Sequence, residues 1–471
     1  MRYSPLALAI LLSCATNPVT GKSELSLVSQ SDEIAMGKQS AADVDATVGL
    51  YPDSNVQRYV SALGHSLAAH TERPDLPWQF HVVDDPAVNA FALPGGFIFV
   101  TRGLMAHVNN EAELATVVGH ECGHVAAKHS VKIMSEAEVA QAALVIGMAV
   151  NKDVAKYGAA AQQGLQILFL KFSRDDESQA DQLGFKYALA DSFDVRQMAP
   201  MFVMLGGITK MSGSKLPEWQ STHPDPENRL AATNERLKSV TADLDKYKVE
   251  RASYLRLIDG MVYGVNPRNG YFEGTHFIQP DLKFQFDFPA GWQTENQANA
   301  VLAAPKAGDA IMQIRIVTGS ASQAAANFAA TQGMQSTAPA AANVNGLTAS
   351  TLVFAMPSQD QTQPGVQGRA VFLEYGGATY RMIGYSTTNS YAAYAPLFQQ
   401  ALATFAPLTD PKALAIQPMR VRLERTPRAM TLREFDKQFP SEIKLQELAV
   451  MNGIDSTAVI SAGTMVKRVV R

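Results

Sequence analysis

The sequence predicts an α+β fold that is divided into two or three domains. With 471 residues, of which 46% are hydrophobic, the chain has enough apolar side chains for a buried core and is longer than one ordinary domain. Helical and β-rich segments follow one another in unequal order, as is typical of α+β proteins. A cluster of turn residues at 264–270 separates a mainly helical first part from a second part that is richer in strand patterns.

Local patterns predict the elements of the first domain. Helical periodicity extends over residues 34–69. Residues 80–83 and 97–100 are β-rich runs on either side of a Pro-Gly-Gly turn, which predicts a pair of strands. Asn110, with Glu113 three residues later, has the pattern of a capped helix start.

A strongly apolar run at residues 139–150 follows the capped helix. It is shorter than the ~20 residues that a helix needs to cross a bilayer. We expect a buried helix next to the core, and a lid that touches the membrane is the alternative. Helical sequence resumes near Ser173 and continues past Arg236.

Two smaller units are predicted beyond this domain. Residues 263–275 are assigned to a linker. A period-two pattern at 283–288 and a hairpin around Gly376-Gly377 predict a small α+β domain at residues 276–408, without a metal-ligand cluster of its own. Residues 415–471 form a third unit, with a short strand and two helix-like stretches.

The charge pattern excludes one class of partner. The formal net charge is only -4 at pH 7, and no run rich in Lys and Arg is present. Proteins that bind phosphate backbones usually have such a run or a strongly basic balance. We therefore expect no nucleic acid partner.

The N-terminal residues predict export and a lipid anchor. One arginine and a short apolar run occupy residues 1–13, which is the pattern of a signal peptide, although a buried strand is the alternative. The four residues that end at Cys14 resemble a bacterial lipobox, so Cys14 is the predicted lipidation site. Ala15 stands where an aspartate would favour retention in the inner membrane. This predicts a periplasmic protein that is lipid-anchored to the outer membrane.

Two histidines four residues apart carry the strongest chemical signal in the sequence. His120 and His124 lie about one helical turn apart on one face of a predicted helix, so both can bind the same metal ion. The spacing suits a tetrahedral site with one Zn²⁺ per chain, and Glu121 would act as general base toward a zinc-activated water. Cys122 points to the opposite side of the helix and is predicted to be a packing residue.

A catalytic zinc needs a third protein ligand, and the acidic segment 173–181 offers one. Glu177 could bind the metal. Asp181, four residues later on the same helical face, could accept the second N–H of a ligand histidine and so orient its ring. Taken alone, however, the segment also has the composition of a solvated, charged helix face.

Several motifs in the same order give residues 17–262 a resemblance to the HtpX- and BepA-type zinc metallopeptidases, the family that includes the CAAX prenyl proteases. The sequence has no long apolar helices like those of the integral-membrane relatives, so it resembles the periplasmic lipoprotein branch. The segments that carry the resemblance are Asn17–Lys22, Asn89–Gly96, Gly119–Ser130 with the additional His129, Glu177–Gly184 and Ser221–Pro224.

The resemblance implies a gluzincin-type fold, mainly helical with a small sheet, in which Glu177 is the third zinc ligand. It also implies that the region 89–100 forms a strand at the edge of the active-site cleft, where an extended polypeptide can add as a further strand. Partners would then be unfolded or misassembled polypeptides. The tetratricopeptide repeats of BepA-type proteins have no counterpart in this sequence, so their particular partners are not transferred.

His223 would be a solvated loop histidine without the resemblance. With it, two roles compete: His223 stabilises the oxyanion of the tetrahedral intermediate, or it occupies the open zinc position as a removable plug. We favour the plug, because a tethered protease among folding envelope proteins gains from being inactive by default.

The C-terminal part has weaker resemblances. Residues 276–408 resemble PsbP-like α+β domains, and residues 415–471 resemble a LysM module. The Gly-Asp pair that usually precedes Thr-Leu in such modules is replaced by Ala429-Met430. This replacement weakens the expectation of glycan binding.

Three classes of function remain at this point. The first is a zinc-dependent endopeptidase that degrades misfolded or misassembled envelope proteins, and the complete ligand set with Glu121 favours it. The second is a chaperone or scaffold that keeps the zinc fold for binding. The third is a module that tethers the chain to peptidoglycan through residues 415–471, which sedimentation with purified cell-wall sacculi would reveal.

Overall fold

The computed structural model of the chain describes residues 14–137, 172–213, 219, 223, 226–358 and 364–471. The predicted signal peptide at 1–13 and the predicted apolar helix at 139–150 lie outside the described residues. The chain forms two compact units. Unit 1 consists of Met1–Asp43, Leu50–Gly264 and Met419–Arg471, and unit 2 consists of Val44–Gly49 and Val265–Pro418.

Helices and strands both contribute to the fold, so the predicted α+β class is confirmed. Among the described helices, none is both long enough and apolar enough to cross a membrane. The α-helices are α1 (Gln30–Thr47), α2 (Ser54–Ala68), α3 (Arg102–His107), α4 (Glu111–Ala126), α5 (Arg174–Ala190), α6 (Met198–Ser212), α7 (Pro226–Leu237), α8 (Arg251–Ile258), α9 (Ala321–Ala329), α10 (Tyr391–Leu402), α11 (Pro411–Ala415), α12 (Leu432–Gln438) and α13 (Leu445–Asn452). The strands are β1 (Cys14–Thr16), β2 (Ser23–Leu25), β3 (Gln79–Val83), β4 (Ala90–Leu93), β5 (Phe97–Thr101), β6 (Val262–Tyr263), β7 (Tyr271–Glu273), β8 (His276–Gln279), β9 (Phe284–Asp287), β10 (Gln293–Asn296), β11 (Val301–Ala304), β12 (Ala310–Val317), β13 (Gln335–Ser336), β14 (Ala340–Val344), β15 (Leu347–Met356), β16 (Val366–Tyr375), β17 (Ala378–Thr387), β18 (Ala406–Pro407), β19 (Met419–Arg425), β20 (Met430–Thr431), β21 (Val459–Ile460) and β22 (Met465–Val470).

A three-stranded sheet in the order β3-β5-β4 lies beside α4 in unit 1. The predicted neighbours β3 and β5 do pair, but they run parallel. The Pro-Gly-Gly turn instead joins β5 to β4, so the region 89–100, which the resemblance implied to be one edge strand, forms two antiparallel strands, of which only β4 lies at the edge. Gly95 and Gly96 both have positive φ, at 79° and 102°, which favours glycine in this turn. β4 is left as an edge strand of the sheet.

Helices α4 and α5 pack with their backbones close together because small residues face each other. A Cβ atom at Gly184 would lie 2.7 Å from the backbone nitrogen of His120. At Gly123 it would lie 3.0 Å from the Cβ of Leu183. A larger residue at Gly184 would push the helices apart, so this glycine sets the distance between the acidic segment and the histidines.

The C-terminal residues fold as strand β19, helices α12 and α13, and strand β22, in the order predicted for the third unit. Strand β19 pairs with β22 and with β6, and residues 419–471 group with the helical domain in unit 1. Lys467 on β22 is fully buried. Its Nζ donates hydrogen bonds of 2.9, 3.0 and 2.8 Å to the carbonyls of Ala106, His107 and Val108, at the C-terminal end of α3. We call this arrangement the Lys467 clamp.

Unit 2 is built on an eight-stranded sheet with the path β10-β11-β12-β17-β16-β15-β13, on which β14 pairs with β15, and on a smaller sheet in the order β18-β9-β8-β7. The predicted hairpin around Gly376-Gly377 is confirmed as β16 and β17. Part of the predicted linker at 263–275 is structured, because residues 271–273 form β7 and pair with β8. The aromatic side chain of Phe272 packs on the core of this unit, which accounts for the difference.

Candidate metal centre

The two histidines of the predicted zinc motif lie on α4, whose start follows the predicted cap. Asn110 Oδ1 accepts the backbone N–H of Glu113 at 2.8 Å, and Glu113 Oε2 accepts the N–H of Asn109 at 2.7 Å. His120 and His124 are both buried, and their Nε2 atoms are 2.9 Å apart. The Nε2 atoms of both imidazoles on this helix are therefore close enough to bind the same metal ion.

The acidic segment forms the first turns of α5, which begins after its predicted cap Ser173. Glu177 and Asp181 are both buried, so the segment is not a solvated face. Glu177 Oε1 lies 3.4 Å from His124 Nε2. Asp181 Oδ1 lies 3.0 Å from His120 Nδ1, the position expected of an orienting carboxylate.

Hydrogen bonds around the histidines fix their tautomers. The Nδ1–H of His120 donates to Asp181, which leaves a lone pair on Nε2. His129 Nε2 donates to Gln179 Oε1 at 2.8 Å, so His129 Nδ1 accepts the Nδ1–H of His124 at 3.0 Å. His124 Nε2 therefore also carries a lone pair. Two lone pairs that face each other at 2.9 Å are the arrangement expected around a cation.

His223 is brought to the same point from a separate segment. Its Nδ1 lies 2.8 Å from Glu177 Oε1 and 3.4 Å from His120 Nε2. Burial alone would lower the pKa of His223, but the carboxylates of Glu177 and Glu121 raise it above its ordinary value. His223 is thus close to the predicted ligands and to the predicted base, as both of its predicted roles require.

Arg229 on α7 is a component of the site that the sequence reasoning missed. Its Nη2 and Nε donate to Asp181 at 2.6 and 2.8 Å, and its Nη1 lies 2.9 Å from Glu177 Oε2. Burial would raise the pKa of Asp181, but Arg229 lowers it to about 2. The carboxylate is therefore kept ionised. A single arginine outside the quoted motifs is too common a feature to be identified from sequence.

Glu121 lies next to the cluster on α4 and is buried. Its Oε1 lies 3.7 Å from His223 Nε2. Its Oε2 has no hydrogen-bond partner among the described residues. A buried carboxylate oxygen without a partner is costly unless a ligand or a water occupies its acceptor sites. The position fits a base that faces a reacting water.

The remaining cysteine predictions concern different parts of the chain. Cys122 is a free thiol in the apolar core, so its predicted packing role is confirmed, and burial raises its pKa. Cys14 opens β1, and its predicted lipidation stays a prediction.

The donor atoms fit a zinc ion. One donor atom from each of His120, His124, Glu177 and His223 lies within 4.8 Å of the others, and all four residues are buried. Imidazoles together with one carboxylate form the usual ligand set of catalytic zinc, which keeps one further position open. A cavity of about 40 Å³ adjoins the cluster. Its apolar lining consists of Val88, Ala90, Leu104, Val117, Met201, Leu205 and Trp219.

Comparisons with known proteins agree with this geometry. Residues 54–237 match the model of peptidase family M48. The chain is 30% identical over 234 residues to a beta-barrel assembly-enhancing protease of Yersinia pestis, with 46% of each chain covered. It is 31% identical over 230 residues to the mitochondrial metalloendopeptidase OMA1 of Danio rerio, with 45% of this chain and 48% of the relative covered. The chain thus spans about half the length of these relatives.

A solved structure similar to part of the chain is that of cyanobacterial PsbP from Synechocystis. It covers 29% of this chain and 94% of its own, at 13% identity and a TM-score of 0.24, and a score this low supports no conclusion. The site and the sequence relatives agree on one family. Residues 54–237, which hold His120, His124 and Glu177 on two closely packed helices, match the zinc metallopeptidases of peptidase family M48.

Proposed function

We propose that the chain is a zinc-dependent endopeptidase. The observation that carries the proposal is the convergence of His120, His124 and Glu177 on one buried point, with Glu121 beside them. A chance His-Glu-His spacing on a core helix would not be accompanied by a carboxylate from a second helix and by hydrogen bonds that orient each imidazole. These features support a metal centre built for hydrolysis.

In the proposed mechanism, different residues hold the metal, transfer the proton and orient a ligand ring. The two histidines and Glu177 would hold the zinc ion, which would supply a Lewis acid to activate water and polarise the scissile carbonyl. Glu121 takes the proton of the attacking water as general base and then delivers it to the leaving amine. Asp181 and Arg229 hold the His120 ring in the tautomer that leaves its Nε2 free.

Edge strand β4 supports an extended polypeptide as substrate. Its residue Ala90 lines the cavity that adjoins His120 and Glu121. A substrate that pairs with β4 would be held through backbone hydrogen bonds, so side-chain selectivity would be broad. The apolar cavity would accept one apolar side chain near the scissile bond. Unfolded or misassembled polypeptides expose both an extended backbone that can pair with β4 and apolar side chains that can enter the cavity.

Glu121→Gln tests the proposed mechanism. This variant keeps the ligands, so we expect one zinc per chain by metal analysis and loss of peptide cleavage. Glu111→Gln, at the start of the same helix, is the matched control and should keep both zinc and activity. Near-normal cleavage by the Glu121 variant would refute the assignment, and loss of zinc would mean that Glu121 serves the metal instead.

His223 has the two proposed roles with opposite consequences. If it occupies the open metal position, His223→Ala raises the rate of casein or peptide cleavage. If it stabilises the oxyanion, the same change lowers kcat by about 10²-fold or more with little loss of zinc. The contact of 2.8 Å with Glu177 favours the plug, because it places an imidazole among the ligands. Unchanged rate and zinc content would exclude both roles.

The proposed setting is the bacterial envelope, with misfolded or misassembled envelope proteins as substrates and a lipid on Cys14 as the outer-membrane anchor. The assembly-enhancing protease among the relatives and the signal-like residues 1–13 support it. Envelope proteomics of cells that carry Glu121→Gln in place of the wild type would identify substrates as proteins that accumulate. If the chain only binds unfolded proteins as a chaperone, cells with Glu121→Gln and cells with the wild type should have the same envelope proteome.

A further inference from the structure

Two arginines lie opposite each other in the large sheet of unit 2. In the antiparallel pair of β12 and β17, Arg315 is in register with Arg381. Residues in register project from the same face of the sheet, with Cβ atoms roughly 4.5–5.5 Å apart. Like charges at this separation destabilise a sheet unless an opposite charge compensates them.

No such charge is present among the described residues. No carboxylate oxygen of these residues lies within 4.0 Å of either guanidinium. The Nε atoms of Arg315 and Arg381 are both shielded from solvent and have no acceptor in the part of the chain that the structure describes. Gln313 Oε1 accepts from Arg381 Nη2 at 2.7 Å. Buried donors without acceptors are rare in proteins and usually mark a bound water or ion.

The surroundings hold the pair in place without neutralising it. The ring of Phe328 on α9 lies 5.6 Å from the Arg381 guanidinium and supports it through a cation–π contact. Burial and the neighbouring Arg315 both lower the pKa of Arg381. Both arginine side chains are only partly buried, so a ligand can reach them from solvent.

We propose that Arg315, Arg381 and Gln313 form a binding site for a phosphate group. Two guanidiniums side by side offer more N–H donors than a single carboxylate can accept, whereas a phosphate presents three or more oxygens and can bridge both. The phosphate comes either from the free anion or from a phospholipid headgroup. The site belongs to unit 2 and does not depend on the proposed peptidase activity.

The test measures phosphate binding to the full, zinc-loaded chain by calorimetry in a phosphate-free buffer. We expect a binding event that Arg315→Gln and Arg381→Gln each weaken at least about tenfold, because each removes one half of the donor set. Arg369→Gln is the matched control. Arg369 lies on β16 of the same sheet, on the opposite face, since its neighbour Ala370 packs with Phe372 and Phe372 is in register with Arg381.

A second arm distinguishes the two sources. Vesicles of phosphatidylglycerol are compared with vesicles of phosphatidylcholine by co-sedimentation, with the same three variants. Binding of inorganic phosphate alone assigns the free anion, and additional vesicle binding that depends on Arg315 and Arg381 assigns a headgroup. Thermal unfolding checks that the variants are folded, which we expect because each removes a like-charge contact.

Three results would overturn the proposal. One is the absence of phosphate and vesicle binding in the wild type. Another is equal loss of binding in Arg369→Gln, which would indicate general charge attraction. The third is binding that survives in both glutamine variants, because phosphate held at the zinc would behave in that way.

Discussion

Replacing Lys467 with methionine tests the importance of the Lys467 clamp for the catalytic helix. Methionine keeps most of the volume of the side chain, so the main loss is the ammonium that donates to three carbonyls at the end of α3. The charge of Lys467 also influences Glu113. Burial raises the pKa of Glu113 above its ordinary value, and nearby donors and cations, Lys467 among them, offset part of this rise. Glu113 lies in the first turn of α4, two turns before the proposed metal ligand His120.

The expected magnitude follows from this geometry. Leaving a buried polar group unsatisfied costs about 1–3 kcal/mol, and three carbonyls are affected. Part of this cost is offset, because the folded chain no longer has to desolvate the ammonium. After this offset, the lower part of the summed range remains, about 3–5 kcal/mol. We expect Lys467→Met to lower the free energy of unfolding of unit 1 by that amount, a large part of an ordinary domain's stability of about 5–15 kcal/mol.

Denaturant unfolding of the zinc-loaded chain measures this effect, and Lys437→Met on the exposed side of α12 is the control. The control should change stability by less than about 0.5 kcal/mol. Combining Lys467→Met with Glu113→Gln should cost less than the sum of the two single changes, because each charge favours the other and the double variant removes both. A loss below about 1 kcal/mol for Lys467→Met, or strict additivity in the double variant, would refute the reasoning.

Further predictions concern separate features of the chain. Burial lowers the pKa of His107 to about 4, so between the unfolded value of about 6.5 and pH 4 the unfolded chain binds more protons. The free energy of unfolding should therefore fall by up to about 3 kcal/mol as pH drops through this window, and His107→Gln should reduce that slope in pH-dependent unfolding curves. Arg229→Met should weaken zinc binding about 10–100-fold in a competition assay with a chelator, whereas Arg256→Met at an exposed position of α8 should not. Removing the metal with a chelator should lower the melting temperature of the wild type, because zinc binds the folded state; an unchanged melting temperature would exclude a bound metal. Cys14→Ser should release the chain from membranes or leave it unprocessed, and unchanged fractionation and processing would remove the case for a lipid anchor.

The parts of the site that were predictable from sequence are those encoded by spacing. His120, Glu121 and His124 have the period of one helix, and the cap at Asn110 fixes where that helix begins. The role of Glu177 was not encoded in its own segment, because acidic residues at helical spacing are typical of solvated surfaces. Only the resemblance to a family assigned it as a ligand.

Features that depend on contacts between distant segments could not be predicted. Arg229 joins Asp181 and Glu177 across α5 and α7, and no local pattern indicates that a given arginine will be buried among carboxylates. The same holds for Lys467, which has no sequence feature that distinguishes it from a surface lysine on an edge strand. Residues 90–93 give too short a pattern to predict strand β4 on their own, and only the resemblance indicated a strand in the region 89–100.

The Lys467 clamp also affects the order in which the chain can fold. It joins Lys467 to Ala106 across 361 positions, with residues 265–418 of unit 2 between them in sequence. At ribosomal speeds of about 5–20 residues per second, α3 is synthesised on the order of tens of seconds before its donor. Contacts this distant in sequence also slow the folding of a completed chain. The end of α3, which leads directly into α4, would therefore gain these three hydrogen bonds only after all the residues up to Lys467 have been synthesised.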